Sequence, residues 1–340
     1  MIDMSEIFQP KNRRKLSQAI FLTVFLLYPV FGDQYAVGQL TQYFVYGIFA
    51  MSLDLIWGYV GIFSFGHAVF FGLGGYFMTL VTKQMIPYMT TFHSTYAGLI
   101  FGIGIPALFA MLLGYFLFYS RIAGPYFAIL MLAIAVIFER IAVDWYYVGG
   151  FNGIFDIPPL TLSVPGLLAY EITHPILLYY VILAIAIGSY IFCYRVVSSP
   201  FGSILSAIKD NEERVEFFGY DVAHYKIKIY IISAGLAGLA GSLFVAVFSY
   251  VGPTVIGFVL STEVLIWVIV GGKGTLVGAM LGAILVRFLE AFLSDIMTYY
   301  WILILAVIFI VCVMFFPKGV FGYLFSEEKA RQQSQLPVAK

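Results

Sequence analysis

Ten stretches of predominantly apolar residues follow one another along the chain, roughly at 16–32, 38–57, 60–82, 96–119, 124–143, 174–194, 227–248, 254–270, 275–293 and 299–316. About 20 such residues in an α-helix cross a bilayer, and in lipid a helix satisfies all of its backbone polar groups within itself. Composition points the same way. Apolar residues make up 62% of the chain and charged residues 11%, against roughly 45–50% and about 25% in soluble proteins. A soluble fold of this composition would lack the polar surface to cover its apolar side chains. The expected fold class is therefore an all-α polytopic membrane protein of about ten transmembrane helices. A single transmembrane domain is expected over 1–340, with N-terminal helices over 16–194, a cytoplasmic loop over 195–226, C-terminal helices over 227–316 and a cytoplasmic tail over 317–340.

The basic residues predict the orientation. Ten spans with a cytoplasmic N-terminus put 15 of the 18 Lys and Arg on the inner side: Lys11, Arg13, Arg14, Lys15, Arg121, Arg195, Lys209, Arg214, Lys226, Lys228, Lys273, Lys318, Lys329, Arg331 and Lys340. Inverting the protein or removing one span breaks this positive-inside asymmetry. Both termini are expected to be cytoplasmic. The first stretch follows the basic cluster Lys11–Lys15, but the bulky Tyr28-Pro29-Val30-Phe31 offers no small-residue cleavage site, so it is expected to be a retained anchor.

Two loops differ from the rest. The outer segment 144–173 carries Asp144, Asp156 and Glu171, no basic residue, and the turn cluster Gly149-Gly150-Phe151-Asn152-Gly153 before Pro158-Pro159. The inner segment 195–226 contains 199–220, which is expected to form a short amphipathic helix. Ile204, Leu205, Ile208, Val215 and Phe218 would line one side, with Gly219 at its C-terminal end.

Within the spans, Gly58, Gly61, Gly66, Gly72, Gly74 and Gly75 surround Ser64 and His67, and Gly271, Gly272, Gly274, Gly278 and Gly282 surround Lys273. Two readings fit: small-residue faces for close helix packing, or broken helices whose freed backbone lines a polar path. The two segments also echo each other, Leu55-Ile56-Trp57 against Leu265-Ile266-Trp267. Ionisable residues at membrane depth are costly. Glu139 and Arg140 are expected to snorkel to the interface, and Arg287 and Glu290 to neutralise each other one helical turn apart. Asp54, His67 and Glu263 lack sequence-local partners.

Several function classes drop out. No HExxH, GxSxG or Walker A sequence occurs, so no catalytic role, metal or cofactor is expected. Gly271-Gly272-Lys273-Gly274-Thr275 lacks phosphate-loop spacing and is read as a tight cytoplasmic turn. Zero net charge gives no general attraction to nucleic acid. Cys193 and Cys312 lie in apolar runs, as buried thiols would.

The run from Leu53 to Gly72, with Leu55-Ile56-Trp57-Gly58 and Ser64-Phe65-Gly66-His67, resembles the signature of permease subunits in branched-chain amino acid and urea ABC importers. The likeness continues at Gly124-Pro125-Tyr126-Phe127-Ala128, at Gly150-Phe151-Asn152-Gly153, through Ile208–Arg214, in Ser233–Gly241 and at Gly271–Leu276, and so covers nearly the whole chain. Within the family it is similar to the M/C-type subunit. The resemblance implies an ATP-driven importer in the bacterial inner membrane. Its implied partners are a second homologous permease, two cytoplasmic ATP-binding subunits and an extracytoplasmic solute-binding protein. Urea-type members carry Gly-Asn-Asn-Gly where this chain has Gly150–Gly153, while the Phe315–Gly319 ending leans toward that branch. Branched-chain or related amino acids are the expected cargo, and urea or a short amide the alternative.

The resemblance assigns coupling to the ATPase to residues 199–220, with Ala207, Asp210, Glu212, Glu213 and Gly219 as the contact set. A small zwitterion needs mild polar groups at the midplane rather than a strongly charged pore. The expected path is therefore lined by Ser64, Gly66, His67 and Asn152, with Ser64 and His67 near the second permease. Two other classes are open: an ion-driven carrier using Asp54 or Glu263, and an intramembrane enzyme using His67 with Asp54.

Overall fold

The computed structural model describes residues 23–86, 94–163, 169–296, 300–316 and 319–322. A helical stretch over 23–31 precedes α1 (Gln34–Val60) and is held on α5 (Pro175–Ser198) by Tyr179, whose hydroxyl donates to the Phe25 carbonyl at 2.5 Å. Residues 16–22 of the first expected span, and most of the expected tail, lie outside the described residues. The other long helices are α3 (Thr95–Tyr119), α4 (Pro125–Asp144), α8 (Val222–Phe248) and α10 (Val277–Ile296). Among the described residues, α1, α3, α4, α5, α8 and α10 have the length and apolar character to cross a membrane. A shorter apolar helix, α11 (Trp301–Phe315), follows α10.

Caps mark the boundaries. Asp33 accepts the Ala36 N–H at α1, Ser94 the Ala97 N–H at α3, and Asp221 the His224 N–H at α8, each meeting one of the orphan donors of a first helical turn. Pro occupies the start of α4 and α5, where its missing N–H costs nothing.

Besides α11, two more of the expected spans hold only short helices. The stretch 60–82 holds only α2 (Ala68–Thr82), and 254–270 only α9 (Phe258–Gly271). At 1.5 Å per residue, α2 is about 22 Å long, short of the roughly 30 Å hydrocarbon core. Non-helical backbone at 61–67 leads into α2. The segment 249–257, with its 3-10 turn Pro253–Val255, leads into α9.

The helix α1 is the axis of the bundle. It packs against α5, α8 and α10, while α8 also packs on α2 and α3, and α9 on α10. Three helices meet there through glycine. A Cβ on Gly74 of α2 would run into the Gly238 carbonyl of α8, and one on Gly238 into the Gly102 carbonyl of α3. This is the close backbone approach that small residues permit in membranes.

The loops sort to two ends. Residues 58–63, 121–124, 199–221, 272–276 and 319–320 gather at one end, where Gly58 meets Gly274, Lys209 meets Gly58 and Gly319 meets Gly272. The other end holds two short antiparallel ladders that the sequence did not announce: β1 (Ile154–Phe155) with β4 (Tyr250–Val251), and β2 (Thr161–Ser163) with β3 (Ala169–Glu171). The Thr95 hydroxyl and Thr161 N–H join the start of α3 to the second ladder.

The expected amphipathic helix at 199–220 is two helices, α6 (Pro200–Asp210) and α7 (Glu212–Phe217), hinged at the extended Asn211. Asn211 Oδ1 accepts the Arg214 N–H at 2.8 Å and caps α7. Its side chain competes with helix continuation, which periodicity alone does not register.

Candidate translocation and coupling sites

Gly61 closes α1 at φ +85°, a conformation that favours glycine. The segment 61–67 then carries Ser64 and His67 into the interior, where both are fully buried. His67 Nε2 lies 2.9 Å from Ser52 Oγ and 3.5 Å from Ser233 Oγ. Ser52 spends its hydroxyl proton on the Phe49 carbonyl and Ser233 on the Ser52 carbonyl. With the hydroxyl protons so placed, the network assigns Nε2 as the donor to Ser52. Among the described residues, His67 Nδ1 and Ser64 Oγ have no hydrogen-bond partner. The His67 ring stacks on Phe49 at 5.6 Å. Ser64, Gly66 and His67 are thus brought together inside this chain, not on a surface open to another. Asn152 stands apart, exposed on the 3-10 turn Gly150–Asn152.

The first turns of α2 and α9 meet: Ser261 Oγ accepts the Ala68 N–H at 3.2 Å, and Phe65 and Phe258 approach at 6.5 Å. On the side of α4, a Cβ at Gly66 would run into the Met131 carbonyl. The packing reading of the glycine cluster therefore holds, together with the interruption that the second reading expected. The helix is interrupted, and its glycine is a packing contact. Glu139 is half-buried. Its carboxylate lies against Gly257, where a Cβ would stand, at the positive N-terminus of α9. Arg140 is exposed.

At the loop-rich end, Asp54 is fully buried and accepts the N–H groups of Gly274 and Leu276 at 2.6 and 2.9 Å. Lys209 donates to the Gly58 carbonyl at 2.6 Å, tying α6 to the last turn of α1. Lys273 stands 4.6 Å over the Trp57 ring. Burial pushes its ammonium below the ordinary lysine value, Lys209 adds to the shift, and Asp54 opposes it. A cavity of about 280 Å3 opens between Gly61, Phe63, Gly124 and Lys209.

Ala207, Asp210, Glu212, Glu213 and Gly219 are all exposed at this end. Leu205, Ile208 and Val215 are buried in the chain's own core, so they need no outside partner. Phe217 and Phe218, 90% and 76% exposed, are the apolar groups that remain. Sequence reasoning passed over Phe217, Lys209, Lys226, Ser52 and Ser233. Lys209 and Ser233 fall within the motifs Ile208–Arg214 and Ser233–Gly241, but only folding gives each of the five its neighbour.

Glu263 finds its partner across helices. Arg287 bonds Glu290 at 2.6 Å, lies 3.7 Å from Glu263 and sits 4.1 Å over the Tyr46 ring. Among the described residues, no three His, Cys, Asp or Glu side chains converge as metal ligands.

Residues 35–314 match the family model described as the permease component of the branched-chain amino acid transport system. The chain is 26% identical to the high-affinity branched-chain amino acid transport system permease protein LivM of Escherichia coli, covering 91% of this chain and 75% of that one. It is 28% identical to a probable branched-chain amino acid transport permease protein LivM of Methanocaldococcus jannaschii, over 71% and 76% of the two chains. Over 36% of its length it is 29% identical to the ribose import permease protein RbsC of Haemophilus influenzae, of which 40% is covered. No solved structure gives a significant match.

Proposed function

The chain belongs to the family of permease components of branched-chain amino acid transport systems, and on that premise we propose that it is the membrane subunit of an ATP-driven importer for branched-chain or related amino acids. It crosses the cytoplasmic membrane of a bacterium ten times with both termini inside. It pairs with a second, homologous permease, receives its cargo from an extracytoplasmic solute-binding protein and is driven by two separate ATP-binding subunits. ATP is hydrolysed on those subunits. The loop-rich end is cytoplasmic, in keeping with its basic residues Arg121, Lys209, Arg214 and Lys273.

The observation that carries this reading is the adjacency of the exposed α6–α7 pair to the segment 61–67, through the Lys209–Gly58 bond. Ala207, Asp210, Glu212, Glu213 and Gly219, with Phe217 and Phe218, form the surface offered to the ATPase. The path runs past Ser64, Gly66 and His67, with Asn152 nearer its outer mouth. An ion-driven carrier is disfavoured because its two candidate carboxylates are engaged, Asp54 by backbone N–H groups and Glu263 by Arg287.

The test is uptake into proteoliposomes holding the complete complex. Leucine uptake that requires both ATP and the binding protein supports the proposal. Urea uptake in place of leucine would move the assignment to the other branch, and uptake on a proton or sodium gradient without ATP would overturn it.

A further inference from the structure

Lys226 is an ammonium in the first turns of α8, its side chain 9% exposed and 2.6 Å from a carboxylate oxygen of Glu212, itself 44% exposed. The ammonium also lies 6.0 Å from the Phe118 ring centroid. Seven residues on, two helical turns and about 10.5 Å along the same face, Ser233 meets Ser52 and His67. Tyr230 stands between them, fully buried, with its hydroxyl on Met131 Sδ at 3.1 Å and its ring against Phe70 and Phe118. One rigid face of α8 therefore touches the hinge of the cytoplasmic helices at one point and the buried serine–histidine group at another.

We propose that the Glu212–Lys226 ion pair is the positioning contact that passes movement of α6–α7 along α8 to the group around His67. The proposal rests on the coupling role given above to α6–α7. Glu212 begins α7 directly after the Asn211 hinge, so any swing of α7 moves the carboxylate first. Lys226 cannot follow solvent in its place. Breaking the pair leaves a buried ammonium without its partner, and α8 must shift to relieve it. Lys209 ties α6 to α1, and the buried Val215 and the Arg121–Glu216 contact at 3.5 Å hold α7, so the pair is anchored on both sides of Asn211.

The experiment compares Lys226→Met, Glu212→Gln and the exchanged pair Glu212→Lys with Lys226→Glu in the reconstituted complex, measuring leucine taken up per ATP hydrolysed. Lys226→Met, which lies outside the surface offered to the ATPase, is expected to keep hydrolysing ATP while uptake per ATP falls about tenfold, within the range of ordinary coupling energies, and Glu212→Gln is expected to lower the same ratio. The exchanged pair is expected to regain most of that ratio, which a merely structural role in folding would not produce. An unchanged ratio in Lys226→Met overturns the inference and leaves the importer reading standing. Absence of ATP-dependent uptake by the unaltered complex overturns the importer reading itself. Where Lys226→Met fails to co-purify with the ATPase, the exchanged pair decides: assembly with an unrestored ratio overturns the inference.

Discussion

Asp54 and Gly274, 220 residues apart, are joined by a 2.6 Å hydrogen bond from the glycine N–H to the buried carboxylate, and the second oxygen accepts the Leu276 N–H. One side chain thus satisfies two backbone donors in the turn between α9 and α10, that of half-buried Gly274 and that of buried Leu276. Asp54→Asn keeps a single acceptor oxygen and turns an amide donor toward the other N–H. The loss is expected to be about 1–3 kcal/mol. Thermal stability of the detergent-purified protein, followed by size-exclusion chromatography, should fall in Asp54→Asn and fall further in Asp54→Ala.

Gly66 faces the Met131 backbone with no room for a Cβ. Gly66→Leu is expected to abolish uptake while the complex still co-purifies, and Gly66→Ala to reduce it. Gly104 of α3 has nothing within 4 Å of its Cβ position, so Gly104→Ala should transport normally. Equal behaviour of the two alanine variants would show that the α2–α4 contact is unimportant.

His67→Leu removes the N–H donor to Ser52 and leaves a buried serine lone pair unmet, at a cost of about 1–3 kcal/mol. Uptake is expected to drop more than assembly. His67→Gln retains an N–H donor and should fall between the leucine variant and the unaltered protein in leucine uptake. A fully active His67→Leu would remove the histidine from the path.

Gly219 ends α7 at φ +86°, with open space around its Cβ position. Strain is therefore purely conformational. Gly219→Ala should cost about 1 kcal/mol and couple weakly, whereas Gly219→Pro, whose ring fixes φ near −65°, should lose ATP-driven uptake. Membrane insertion should be unaffected in both. ATPase activity and uptake measured side by side separate this outcome from misfolding.

The sequence by itself determined the apolar solvent, the all-α character and which loops share an end. Apolar run length and the distribution of Lys and Arg are local properties that survive without knowledge of contacts. The runs 96–119, 124–143 and 275–293 lie within a few residues of α3, α4 and α10. Only the tertiary structure decided that 61–67 and 249–257 are non-helical, because an apolar run reads alike whether helical or extended. It also decided the partners of the lone charges. Glu263 reaches Arg287, Glu139 reaches the start of α9, and Lys226 reaches Glu212. Within one sequence such charges are unpaired letters. A buried charge must find its counter-charge across helices, and which helices adjoin is fixed by the packing of glycine against backbone at Gly66, Gly74 and Gly238.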